Sequence, residues 1–168
     1  MAKKNTKKSS KKVLFDILVL ILSAGILGLL ALPFIKSEVS SILGSLSNTI
    51  SGYKLIDFDL DTTIATFMLL TTIFASLSVL FSIFKLIGDL NIVKNKTFTK
   101  FSSVGLILIT FITLVLSIAV TIVIPVKCNS NNLGSLFSAG NYAVWYSLAV
   151  VILVSLLSFL SSFISNKK

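Results

Sequence analysis

Residues 62–84 read TTIATFMLLTTIFASLSVLFSIF, without one charged side chain. At 1.5 Å of rise per residue such a stretch makes a helix about 35 Å long, enough to cross the roughly 30 Å hydrocarbon layer of a bilayer. In lipid no water satisfies a peptide group, so a helix that closes its own hydrogen bonds is the form this segment takes. Asp61 directly before it is a helix-capping residue whose negative charge suits a helix N-terminus.

The same reading extends outward in both directions. Residues 13–35 are apolar apart from Asp16 and Ser23, and residues 101–126 carry no charge, with Pro125 where a helix can stop at little cost. Residues 141–165 form a fourth apolar run before Asn166-Lys167-Lys168. Over 168 residues, 55% are hydrophobic and 12% charged, with a mean hydropathy of +1.00, beyond what a soluble domain buries. The expected fold is an all-α integral membrane four-helix bundle. A secretory signal is the competing reading of the first span, but its apolar region is too long. Leu22-Ser23-Ala24-Gly25 lacks the cysteine of a lipoprotein cleavage box.

Lysine sets the expected orientation. Residues 1–12 hold six lysines, residues 85–100 four and the C-terminus two, against Lys36, Lys54 and Lys127 in the other connections. Lysine is retained on the cytoplasmic side, so both termini are expected inside, in a multi-pass protein of the cell membrane. Residues 1–12 are expected to be a disordered tail able to attract anionic lipid headgroups, with no specific nucleic-acid role. Tyr142, Trp145 and Tyr146 then mark the outer interface of the fourth span.

The outer connection 36–61 divides by periodicity. Val39, Ile42, Leu43, Leu46 and Ile50 recur at three- and four-residue steps, predicting a short amphipathic helix on the membrane surface. Ile56-Asp57-Phe58-Asp59-Leu60-Asp61 alternates, predicting an extended segment. Within the spans, residues at helical spacing make small or hydroxyl seams: Ala24, Gly28 and Ala31; Thr71, Ala75, Ser78 and Ser82; Thr110, Thr113, Ser117 and Thr121; Ser155, Ser158, Ser162 and Ser165. All four are expected to face inward, because helices in lipid associate through close backbone approach and hydroxyl contacts.

Chemistry is sparse. The chain has no His or Arg, so it lacks a side chain that titrates unperturbed near neutrality and a fork for phosphate or carboxylate. Asp16 is the one ionisable residue within a predicted span, and a Lys12–Asp16 pair four residues apart is expected at the interface. Asp57, Asp59 and Asp61 match the opening of a calcium loop, but Thr62 stands in place of the turn glycine and Met68 in place of the closing glutamate. They read as a solvated acidic edge. Cys128 reads as a tolerated interfacial thiol, and Asn95-Lys96-Thr97 as a glycosylation pattern in a cytoplasmic connection where it goes unused. No catalytic, cofactor-binding or metal-binding residue is assigned.

Leu32-Pro33-Phe34, Ser51-Gly52-Tyr53 and Gly140-Asn141-Tyr142 with Trp145, taken with the lysine-rich start, resemble a broad class of small four-span bacterial membrane proteins. The layout of a long first outer loop and a short second is also similar to claudins and related tetraspan proteins. The claudin Trp-Gly-Leu-Trp-type motif and cysteine pair are missing, so claudin function does not carry over. The expected role is non-enzymatic, through helix packing with itself as a homo-oligomer or with other membrane proteins. The alternative is a channel or small-solute transport component with a hydroxyl-lined bundle.

Overall fold

Asp61 opens the second helix as the sequence predicts. Its Oδ1 accepts the amides of Thr63 at 2.8 Å and Ile64 at 3.2 Å, satisfying two donors that the first helical turn leaves unpaired. The computed structural model describes residues 2–41, 44–57, 61–93, 95–130, 137–139 and 142–166. Its helices are α1 (Ala2–Leu29), α2 (Thr62–Asp89), α3 (Lys96–Ser130) and α4 (Tyr142–Asn166). All four are long and apolar enough to cross a membrane. α1 packs on α2 and α4, and α3 packs on the same two, closing a ring.

The bundle mixes hydroxyl with aliphatic side chains inside and is apolar outside. Ser23, Ser78, Ser82, Ser102, Thr110 and Thr113 are buried, while Ile21, Leu108, Phe111, Ile122, Leu156 and Phe159 are exposed. Water would reverse that distribution; hydrocarbon favours it, because hydroxyls seek partners among the helices and aliphatic side chains lose nothing by facing lipid. The second and third seams face inward as expected, and in the fourth Ser158 is buried with Ser155 and Ser162 half-buried. The side chain of Ser165 lies outside the described residues. α1 departs from the expectation: Ala24, Gly28 and Ala31 are exposed, and its inner face is Asp16, Val19, Ser23, Ile26 and Leu30.

Several boundaries also move. The lysine-rich stretch expected to be disordered belongs to α1; Ala and Lys are good helix formers, and extending an existing helix needs no new nucleus. α1 ends at Leu29 rather than continuing to Ile35, because Pro33 starts a strand, a position where its missing N–H is tolerated. α2 runs to Asp89 and not Phe84. It stops where Asn91 takes a left-handed conformation (φ 58°), with Asn91 N–H bonded to Gly88 O and Ile92 N–H to Ile87 O. α3 passes through Pro125 to Ser130, since one forfeited bond near a helix end does not stop it. Asn95, the residue of the glycosylation pattern, caps α3 through the amides of Thr97 and Phe98.

The predicted amphipathic helix is instead a β-hairpin. β1 (Pro33–Ser41) pairs antiparallel with β2 (Gly44–Ser51), and β3 (Phe137–Ala139) adds to the other side of β1, giving the order β2-β1-β3. Val39 lies across from Leu46 and Ile35 from Ile50, so the apolar spacing that imitates a helix is cross-strand pairing. Serine and β-branched residues favour that outcome. Ile42 and Leu43 lie outside the described residues.

Behind the hairpin, Ser51-Gly52-Tyr53 closes the exposed carbonyl end of α1. Gly52 N–H donates to Leu32 O, Tyr53 N–H to Leu30 O, and the Tyr53 hydroxyl to Leu27 O at 2.7 Å. A Cβ on Gly52 would stand 2.8 Å from Leu30 O, so only glycine fits. Phe34, Ile35, Leu55, Ile64, Met68 and Ile124 form the apolar core where the sheet meets the bundle.

Candidate functional site

At the opposite end, where α1 enters the bundle and α4 leaves it, four charges meet between α1 and α2. α1 contributes Lys12 and Asp16, α2 contributes Lys85 and Asp89, and in each helix the two residues are four apart and share a face. The helices run antiparallel, so the pairs cross between them. Lys12 Nζ lies 2.5 Å from Asp89 Oδ1, and Lys85 Nζ 2.8 Å from Asp16 Oδ1. The expected Lys12–Asp16 pair is therefore not the one formed: Lys12 turns across to Asp89, which frees Asp16 for a lysine deeper in the bundle.

Lys85 and Asp16 are buried, with side chains 2% and 1% exposed. From α4, Ser161 donates to Asp16 Oδ1 at 2.7 Å and its Oγ accepts from Lys85 Nζ. Three helices are thus joined through one carboxylate oxygen. One to two turns deeper, Ser23 and Ser82 approach to 3.4 Å, continuing the polar ladder between α1 and α2. Charge withdrawn from solvent this completely is tolerated only when paired and hydrogen-bonded. The pairing is incomplete: Asp16 Oδ2, Asp89 Oδ2 and Ser158 Oγ are buried without a hydrogen-bond partner.

Between α2 and α3, Phe81 meets Phe84 edge-on and Phe101 at a tilt, and Phe84 meets Phe98 at a tilt, with centroid distances of 5.9 to 6.0 Å. Gly88 and Gly105 let α2 and α3 close here. A Cβ would meet Thr99 at the first and the Phe81 ring at the second.

The remaining sequence candidates do not converge. Asp57 is exposed, Asp59 lies outside the described residues, and Asp61 is buried with Oδ1 on the α2 amides and Oδ2 3.4 Å from Lys127 Nζ on α3. Burial works against the Asp61 carboxylate, but the Ile64 and Thr63 amides and the Lys127 ammonium outweigh it and hold its pKa below the ordinary 3.8. Asp61 is thus a helix cap and an ion-pair partner rather than part of a solvated edge. Among the described residues, no three metal-ligating side chains cluster. Cys128 lies in α3, with its side chain outside the described residues.

Sequence reading missed Lys85 because it was assigned to a basic connection. The signal was present: Thr71, Ala75, Ser78 and Ser82 continue by the same steps to Lys85 and Asp89. A seam that ends in Lys and Asp faces the interior as firmly as one that ends in Ser. Compared with protein-family models, curated proteins and solved structures, the chain matches none, so a functional reading must come from its own residues.

Proposed function

We propose that this is a non-enzymatic multi-pass protein of the cell membrane, with both termini cytoplasmic, that acts by packing against a second copy or other membrane-embedded partners. The observation that carries this reading is the outward face of α1. Ala24, Gly25, Gly28 and Ala31 are exposed, and the positions a Cβ would occupy on Gly25 and Gly28 have no neighbour within 4 Å. Small residues let another helix backbone approach closely, the main source of helix association in lipid. The seams of α2, α3 and α4 are already used within the bundle. The lysine asymmetry supports the orientation, and anionic headgroups are the natural partners of residues 1–12.

A solute path along the hydroxyl seams finds less support. Thr71 donates to Phe67 O, Ser82 to Ser78 O, Thr113 to Ile109 O and Thr121 to Ser117 O, all within their own helices. Hydroxyls whose protons are committed to backbone have no donor left for a passing solute.

The test is single-cysteine crosslinking in native membranes, on a Cys128→Ser background. Cysteines at Ala24, Gly28 and Ala31 should yield adducts, and one at Leu156 on the exposed face of α4 should not. A chain that stays monomeric and captures no partner at any α1 position contradicts the reading.

A further inference from the structure

The sheet ends on an open edge. In the order β2-β1-β3, β2 has a strand neighbour on one side alone among the described residues. Two residues separate the paired Ser41 and Gly44, so that pair is hydrogen-bonded, and alternation along the ladder turns the amide and carbonyl of Ser45 and Ser47 away from β1. Protein edges are commonly blunted by lysine, proline or a bulge. Residues 39–53 contain neither charge nor proline, and the one irregularity of the β1–β2 ladder lies at its far end, between Pro33 and Ile35.

This edge lies on the same side of the bundle as the open face of α1. α1 and α3 sit diagonally in the ring, each packing on α2 and α4. β3 packs on α3, whereas the chain leaving β2 lies on α1, through Gly52 N–H to Leu32 O and the Tyr53 hydroxyl to Leu27 O. The exposed positions Ala24, Gly28 and Ala31 therefore lead past the exposed Tyr53 to β2. We propose that the β2 edge is a self-docking surface, on which β2 of a second copy pairs antiparallel about Ser47 and joins the two sheets into one. This pairing rests on the self-association proposed above and adds a second contact to it. The membrane favours this occupant, because two copies inserted the same way hold their β2 strands at one level, and the uncharged edge sets no like charges against each other. Ile35 and Ile50 turn one face of the hairpin onto the bundle core, so the twofold rotation that keeps both copies upright brings the strands together antiparallel. Ser47 is the outward-turned residue nearest the middle of β2, where centring the pair engages most of the edge.

Single cysteines on a Cys128→Ser background, in native membranes holding two differently tagged copies of the full chain, test this with a short thiol crosslinker. Ser47→Cys should give an adduct carrying both tags, and Ser138→Cys, on β3 at the other side of the sheet, should give none. In the unsubstituted chain, the Ser45 and Ser47 amides should exchange hydrogen more slowly as the protein-to-lipid ratio rises. Adducts at Gly28→Cys with none at Ser47→Cys leave the α1 contact standing and overturn the sheet pairing. An adduct at Ser47→Cys with none along α1 does the reverse. Equal adducts at Ser47→Cys and Ser138→Cys, an adduct at Ser47→Cys that joins the chain to a different protein, or exchange at Ser45 and Ser47 that ignores the ratio also overturns the pairing.

Discussion

The two ends of the bundle solve the same problem with different chemistry. At the sheet end, Asp61 and Lys127 tie α2 to α3 across 3.4 Å, with 36% of the lysine side chain exposed. At the terminal end, Asp16 and Lys85 tie α1 to α2 at 2.8 Å with almost no exposure, and Ser161 brings in α4. Water reaches the lysine at the first end and neither partner at the second. Depth, more than distance, therefore decides what an ion pair contributes. Asp61 retains value without Lys127 because it also caps α2, whereas Asp16 has no role apart from the cluster.

Substitutions separate the two ends. The largest effect is expected for Lys85→Met, which strands the Asp16 carboxylate in the interior. Breaking a buried pair from one side costs about 3–5 kcal/mol, measurable by denaturant titration in mixed micelles. Next comes Gly52→Ala, whose methyl would press on Leu30 O. A loss of about 1–3 kcal/mol is expected, as for overpacking elsewhere, with the change confined to the sheet end by hydrogen exchange. Asp61→Ala should cost about 1 kcal/mol through the lost cap, most of it recovered in Asp61→Asn, which keeps the capping oxygen. Lys127→Gln should change stability by less than about 1 kcal/mol, an effect that fades with added salt.

The Asp61 carboxylate also gives the sheet end a pH dependence of known sign. Its folded pKa lies below the ordinary 3.8, so its contribution is present above that value and is lost as pH falls through the lower folded value. The stability gap between the wild type and Asp61→Asn should therefore stay constant from neutrality down to about pH 4 and close below it. A gap that changes around neutral pH would assign the titration to another group.

The helices were legible in the sequence because lipid imposes one solution on an uncharged run the length of 62–84. The Asp61 cap and the seams of α2 and α3 were legible for a related reason: spacing along a helix determines which residues share a face. The hairpin was not, since Val39, Leu46 and Ile50 satisfy helical spacing and cross-strand pairing alike, and only the partner strand distinguishes them. The clasp was half legible. Asp16 was visible as a charge inside a span, but its partner lay 69 positions away (85 − 16), on a helix whose end had been placed one turn too early. The small residues of α1 misled because small size marks a contact surface without saying whether the contact is internal.

The bundle depends most directly on Asp16 and Lys85 facing each other in its interior. The decisive measurement is the stability of Asp16→Lys, Lys85→Asp and the double exchange in the same micelles. Each single variant should lose most of the folded protein, and the exchanged pair should recover much of it. Losses that merely add in the double variant would contradict the buried clasp and the packing built around it.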